Sequence, residues 1–528
     1  MLKVSRLFLK IGKNGCPRHL FSYICPMFVR QKKNPSGIVS VQVIDKSRGS
    51  YKVVKTIGSS SNPFQIEELV CQGNDWIKSQ SRQVEIDFDC TMEATEVFLS
   101  QIEQIKPEGA YLLLSPIFHQ IGFSQIEDQL FKELSLVRLC YPVSKLKTRD
   151  YLHRHHYQHW SVWQIYRYLD KLHQSQKERI QQISFTHTKQ VLGGDITIVF
   201  YDVTTLYFES DNEDELRCTG FSKEGKHQNP QILLGLLVSI DGYPLAYEIF
   251  EGNKFEGHTM LPVVEGFKQK YNIDKLVVIA DAGLMSEKNV EELIEKGYEF
   301  ILGARIKNES SGIKQKILSY CLKDGETAVI EKEASRLIIN YSQARANKDK
   351  HNREKGLLKL QKKIHSGKLT KSHINNKGYN KYLKMDGEVV ISIDFARFEE
   401  DTQWDGLKGY LTNASLTNQQ ILDNYKQLWK IEKAFKVNKH DLRIRPIYHR
   451  IKRRIEAHIC ISFVAYKLYK ELERKLKEKH SSISPERAIE IAESIYTVTV
   501  KIPNSRQVVS KTILTTPEQR SLAKLFDF

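Results

Sequence analysis

Three carboxylates stand where the surrounding sequence is apolar. Asp202 lies inside "GGDITIVFYDVTTLYF", a β-branched and aromatic run at residues 193–208. Aspartate is among the poorest strand formers, and an unpaired buried carboxylate is strongly destabilising. Asp281 closes "LVVIAD" and precedes Ala-Gly, which puts it at the carboxyl edge of an expected strand, where α/β sheets bind ligands. Glu432 is placed by a helical wheel over 421–439, at about 100° per residue. There it falls within an apolar arc of Ile421, Leu422, Tyr425, Leu428, Trp429, Ile431 and Phe435, with Lys439 beside it and Lys426, Lys430 and Lys433 opposite.

Two aspartates from strands and a glutamate from a helix make a set of hard-oxygen ligands. Such a set suits Mg²⁺, with Mn²⁺ as its substitute, because each ion needs only one or two protein carboxylates and keeps positions for water and phosphate oxygens. Two ions ~3.5–4 Å apart serve in-line phosphodiester displacement. Each carboxylate also has a plainer reading: Asp202 and Asp281 as strand-end or turn residues, and Glu432 as the partner of a buried arginine.

The elements that must position them follow from periodicity. "SGIVSVQVIDKSRGSYKVVKTIG", from residue 36, alternates apolar and polar around "KSRGS", a hairpin pattern. Residues from about 64 to 190 read as mainly helical, with a short strand at 110–114. From 194 the order becomes β-β-β-α-β-α-β, with "DGYP" turning the second strand into the third. That order fits a mixed sheet with helices on both faces. Residues 306–415 interrupt it with a basic block, a helix at 345–366 and strand-like "EVVISIDFARF" and "GLKGYLTN". One long helix, capped by Thr417, runs to about 440, a second spans 451–479, and a tail closes the chain.

At 528 residues the chain exceeds one small domain, and its longest apolar stretch, "ILLGLLVSI", falls short of a membrane span. The eight cysteines form no C-x-x-C pair, which excludes a zinc framework or disulfide scaffold and points to a reducing cytosol. Net charge is +17, and it is concentrated. Residues 345–384 hold 13 Lys/Arg against 2 Asp/Glu, and residues 425–480 hold 17 against 6, so the remainder of the chain is net acidic. Two separate basic blocks favour a polyanionic partner.

"FYDVTTLYF", "VVIADAGLMS" and "YKQLWKIEKAFKVNK" resemble the three catalytic segments of DDE-type insertion-sequence transposases, in the group with a Tyr-x2-Arg-x3-Glu-x6-Lys signature. "LRCTGFSKEGKHQNPQILLGLLVSIDGYPL", "FEGNKFEGHT" and "IRPIYHRIKRRIEAHICISFVAYKL" match as well, so the resemblance runs from about 36 to 480. It implies an RNase H-like core at 191–305 and 416–480, a β-rich insertion at 306–415 lying over the active site, an N-terminal end-binding region at 36–190, an extension at 1–35 and a C-terminal tail at 481–528. It further implies that Asp202, Asp281 and Glu432 are the catalytic metal ligands. Tyr425 and Lys439 fall at the signature Tyr and Lys, where they hold transposon-end phosphates. Leu428 replaces the signature Arg, and Lys430 or Lys436 is available to supply that charge. Trp404 is a candidate to stack on an unpaired base, or else a half-buried strand aromatic.

The expected function is thus cut-and-paste DNA transposition: binding of terminal inverted repeats, strand cleavage and strand transfer. Its partners are duplex transposon ends and target DNA, with a homodimer in the synaptic complex, no membrane, and a bacterial cytoplasmic, nucleoid-associated location. The competing readings are a non-catalytic DNA-binding derivative and a plain RNase H-type nuclease.

Overall fold

A computed structural model describes residues 27–528 except 48, 81–97, 157, 223–224, 285, 368, 371–372, 376–377, 387–389 and 503–506. The expected extension therefore lies outside the described residues up to 26. The chain divides into two compact units, 1–100 and 101–528.

The first unit is an antiparallel meander of strands Met27–Lys33, Val39–Asp45 and Lys52–Ser60, followed by the helix Pro63–Gln80. The hairpin read from "KSRGS" is present. Its first partner begins before Pro35, because "MFVRQKK" pairs along its whole length with the second strand.

The second unit is built on one eight-stranded sheet. Its strands are β1 (Ile198–Tyr207), β2 (Gln231–Ser239), β3 (Pro244–Glu251), β4 (Val277–Ala280), β5 (Glu299–Ala304), β6 (Thr327–Lys332), β7 (Ser335–Tyr341) and β8 (Leu407–Thr412). Their spatial order is β6-β7-β8-β5-β4-β1-β2-β3. Only β1–β4 and β4–β5 are parallel. Helices α1 (Met260–Tyr271) and α2 (Glu287–Glu295) make the crossovers that those parallel pairs require. This is a mixed α/β sheet of the RNase H-like kind, and its first five strands follow along the chain the β-β-β-α-β-α-β order read from the sequence.

Strand β1 is buried on both faces, which explains its near-continuous apolar sequence. Phe200 and Leu206 enter one core, while Val199, Tyr201 and Val203 enter the other. The first core is covered by the 27-residue helix α6 (Lys452–Glu478) and by helices Gly109–Ile121 and Gln129–Cys140. The second is covered by α1 and α2. Residues 101–192 therefore belong to the sheet unit.

Two expectations change. The strand read at 110–114 is helical, part of Gly109–Ile121; the true strand precedes it at Ile102–Pro107 and pairs with Tyr496–Lys501 in the tail. "AYLLL" is apolar on every side because it is a helix segment buried in the core, a case in which periodicity does not separate helix from strand. The insertion, in turn, chiefly extends the sheet: β6, β7 and β8 continue it edgeward. Between β7 and β8 lie the basic helix α3 (Gln343–His365), a two-stranded ladder (Leu383–Asp386 with Val390–Ile393) and the short helix Phe395–Glu400.

Candidate active site

The parallel ladder between β1 and β4 ends at the pair Tyr201–Ala280. Asp202 and Asp281 are the next residue on each strand, so the two carboxylates leave adjacent positions. Alternation then fixes their face. Asp202 follows the direction of Phe200, and Asp281 that of Val277 and Ile279, all in the core beneath α6. Asp202 is half-buried, and its Oδ1 accepts the Val203 backbone N–H at 2.7 Å. Asp281 is exposed at the sheet edge.

The same face receives Glu432, by a route the helical wheel did not give. The stretch expected as one helix breaks into α4 (Asn418–Lys426) and α5 (Trp429–Lys436), followed by a wide turn at Val437–Asp441. Thr417 caps α4 as expected, in a reciprocal box with Gln420. The break at Gln427–Leu428 interrupts the helix, yet Ile421, Leu422, Tyr425, Leu428, Ile431 and Phe435 of the expected arc are all buried in one core. Trp429 is 52% exposed, and Glu432 lies exposed at the margin of the apolar face instead of at its centre. Ile431, Ala434 and Phe435 hold α5 against the core that contains Phe200. Glu432 and Asp281 both act electrostatically on Tyr425 and Lys408, which brings the helical carboxylate to the aspartate edge.

Tyr425 is buried, and its hydroxyl donates to Asp281 Oδ1 at 3.1 Å. Burial, then the Asp281 charge, pushes its phenol pKa well up, so it stays protonated and keeps donating. It thus orients a carboxylate and does not stand free for a phosphate. Gly303 on β5 makes this possible, since a Cβ there would run into the Tyr425 hydroxyl.

Lys408 on β8 was not singled out by sequence. Its ammonium lies 4.3 Å from the Tyr425 ring centroid and 5.3 Å from that of Tyr410. Burial, then Arg345, lowers its pKa, while Asp281 and Glu432 pull it back up. Only the break in the β8 pattern at "GLKGYLT", a cation two residues before a core Tyr, could have pointed to it.

The other expected contacts divide. Leu428 is a core position, only 8% exposed, and no charge could replace it cheaply. Lys430 does not substitute: its ammonium donates to the Ile240 carbonyl at 2.6 Å and lies 3.7 Å from Asp241. Lys433, expected to face solvent, is half-buried and paired with Glu473 at 2.5 Å. Lys436 is exposed and Lys439 half-buried.

The carboxylates suit a hard divalent cation in donor chemistry and in placement on one edge. Among the described residues, no three His, Cys, Asp or Glu side chains are already drawn into a ligand cluster.

Residues 193–468 match the family described as the transposase DDE domain, and that span is more than half of the 528-residue chain. The chain belongs to the DDE transposase family. No curated protein matches it. Among solved structures it is similar to a piggyBac transposase synaptic complex with hairpin DNA, at 8% identity and TM-score 0.37, covering 76% of this chain and 79% of that one. It is also similar to the Mos1 transposase paired-end complex with left transposon end, at 12% identity and TM-score 0.15, covering 43% of this chain and 70% of that one.

Beside Asp281, the transposase opens a cleft of about 810 Å³. Asp281, Tyr425 and Lys408 line one end; Arg345 and Arg353 from α3, with Arg305, Lys307 and Trp404, line the rest. Lys307 lies 5.9 Å from the Trp404 ring centroid and 2.7 Å from Asp401. Trp404 is half-buried against the sheet, yet it reaches the same cleft as Asp281. The basic helix thus delivers charge to the site edge itself. No described helix is long and apolar enough to cross a membrane.

Proposed function

We propose that this transposase is that of an insertion sequence and works by cut and paste. It binds terminal inverted repeats, hydrolyses a phosphodiester at each transposon end, and joins the freed 3′-OH to target DNA. Two copies hold two ends, in the bacterial cytoplasm at the nucleoid. The observation that carries this reading is the pairing of positions: Asp202 and Asp281 lie one step beyond the last rung of a parallel ladder, on the face that also receives Glu432.

In this reading Asp202, Asp281 and Glu432 hold Mg²⁺, or Mn²⁺ in its place. When bound, such ions supply Lewis acidity to the attacking and departing oxygens. The chain's own residues do the rest. Tyr425 fixes the orientation of Asp281. Lys408 offers an ammonium toward the scissile phosphate, offsetting charge that grows on its non-bridging oxygens. Arg345, Lys436 and Lys439 neutralise flanking phosphates, which gives affinity without base readout. Trp404 offers a ring to a base unpaired during cleavage.

A supercoiled plasmid carrying the inverted repeats that border the gene tests this. With Mg²⁺, the wild type should excise the segment, while Glu432→Gln and Asp281→Asn should bind end DNA as tightly yet excise nothing. Excision that survives both substitutions would remove these carboxylates from the chemistry.

A further inference from the structure

In the N-terminal unit the single helix covers one face of the three-stranded sheet. Helix Pro63–Gln80 lies against the side that carries Val29, Val41 and Val43. A Cβ added at Gly73 would stand 2.9 Å from Val29, and one at Gly58, opposite Val41, would stand 2.6 Å from Leu69. Side chains alternate along a strand, so the intervening residues point to the other face. There Phe28 pairs with Ile44, Arg30 with Gln42 and Lys32 with Ser40; across the next ladder Gln42 pairs with Thr56 and Ser40 with Ser59.

That second face is polar at its centre. Lys32, Thr56 and Ser59 are exposed, and Arg30 and Gln42 stand half-buried side by side. The Arg30 guanidinium donates to Gln42 Oε1 at 3.0 Å, and the Ser40 and Ser59 hydroxyls lie 2.8 Å apart. Cross-strand bonds of this kind hold the side chains in place before any partner arrives, which lowers the entropy cost of binding. Arginine and glutamine are the residue types that read guanine and adenine edges in the major groove.

Charge divides the unit in the same sense. Residues 27–60 hold seven Lys/Arg and one Asp/Glu, and that one acid, Asp45, accepts the Ser47 N–H at 2.7 Å and its hydroxyl at 2.9 Å within the turn. Residues 63–80 reverse the balance, with three acids and one cation. The basic sheet, and not the acidic helix behind it, is thus the side that suits a polyanion. Three strands at ~4.8 Å spacing span ~10 Å, and the B-DNA major groove is ~12 Å wide. Extra residues in the third strand, Val54 and Ile57, add two bulges that sharpen the twist of the sheet.

We propose that this open face enters the major groove of the transposon-end duplex and reads its sequence, with Arg30 and Gln42 on base edges and Lys32 on a flanking phosphate. The proposal rests on the reading that the chain binds terminal inverted repeats, and it narrows that task to residues 27–60.

The test compares binding of the full chain to a duplex of the bordering inverted repeat and to a scrambled duplex of equal length, across a salt series. The wild type should prefer the repeat. Gln42→Ala should cut that preference about tenfold with scrambled-duplex affinity unchanged, and Arg30→Ala should cut it at least as much. Lys32→Ala should weaken both duplexes alike and lower the salt slope by about one charge. Gln72→Ala, exposed on the helix, should change nothing. Guanine N7 lies in the major groove, so the wild type should block its methylation within the repeat and Arg30→Ala should restore it. Should Arg30→Ala fail to fold, Thr56→Ala should lower the preference by about threefold. A preference that survives the Arg30 and Gln42 substitutions, or that is lost in Gln72→Ala, overturns the proposal and leaves end binding in place. A wild type that binds both duplexes equally removes end recognition itself, and the proposal with it.

Discussion

The Tyr425 hydroxyl donates to Asp281 Oδ1 at 3.1 Å, joining residues 144 positions apart in the chain. The bond ties α4 to the end of β4, so the helix that precedes Glu432 is referenced directly to a strand carboxylate. Hydrogen bonds of this kind to a metal-binding group typically govern its orientation.

Tyr425→Phe keeps the ring in the core and removes only the donor. Strand cleavage should fall about tenfold or more with end binding unchanged, and stability by about 1 kcal/mol. Cleavage kinetics under saturating DNA, together with a denaturant curve, check both. A weakened DNA affinity with normal cleavage would instead return Tyr425 to phosphate contact.

Gly303→Ala places a methyl against the Tyr425 hydroxyl and 3.0 Å from the Ala282 backbone nitrogen. It should cost roughly 1–3 kcal/mol by overpacking and slow cleavage at least as much as Tyr425→Phe. Because the first clash is with the hydroxyl itself, the double variant should be less destabilised than the two losses combined. Strict additivity in a denaturation cycle would show that the glycine serves another purpose.

Lys408→Met removes a cation that acts on both Asp281 and Glu432. The Mg²⁺ concentration for half-maximal cleavage should drop by about fivefold, the effect of one nearby charge in a half-buried setting. End DNA should bind more weakly in the same variant. A metal titration and a binding titration on one preparation read these opposite signs; movement of both in one direction would contradict the dual placement.

Glu493 lies in the helix Pro485–Glu493, where burial and then the Glu490 charge push its carboxyl up to about 7. Its folded pKa is above its unfolded value, so the folded state holds the proton longer. Stability should therefore decline from about pH 4.5 to 7 and then level. Glu493→Gln should equal the wild type near pH 4 and melt about 1–3 °C higher at pH 8. Equal melting at both pH values would show that the carboxyl is solvated.

The sequence by itself determined the order of strands and helices from 194 to about 305, because β1, β2 and β4 are buried and their β-branched, aliphatic composition admits few other states, whereas β6 and β7 were not read from it. It also determined the aspartate positions. Asp281 ends an apolar run and marks a strand edge, Asp202 sits inside β1, and the two come to adjacent positions once the crossover makes their strands parallel neighbours. The glutamate helix was legible in its cap at Thr417 and in most of its apolar arc, but not in its break at Gln427–Leu428, which carries no Gly or Pro. Tertiary packing decided the exposure of Glu432 and the partners of Lys430 and Lys433. The placement of Lys408 and Arg345 at the site was likewise decided by tertiary structure. A cation's local sequence says nothing of which distant element covers it, and burial and neighbouring charge give a lysine its chemistry.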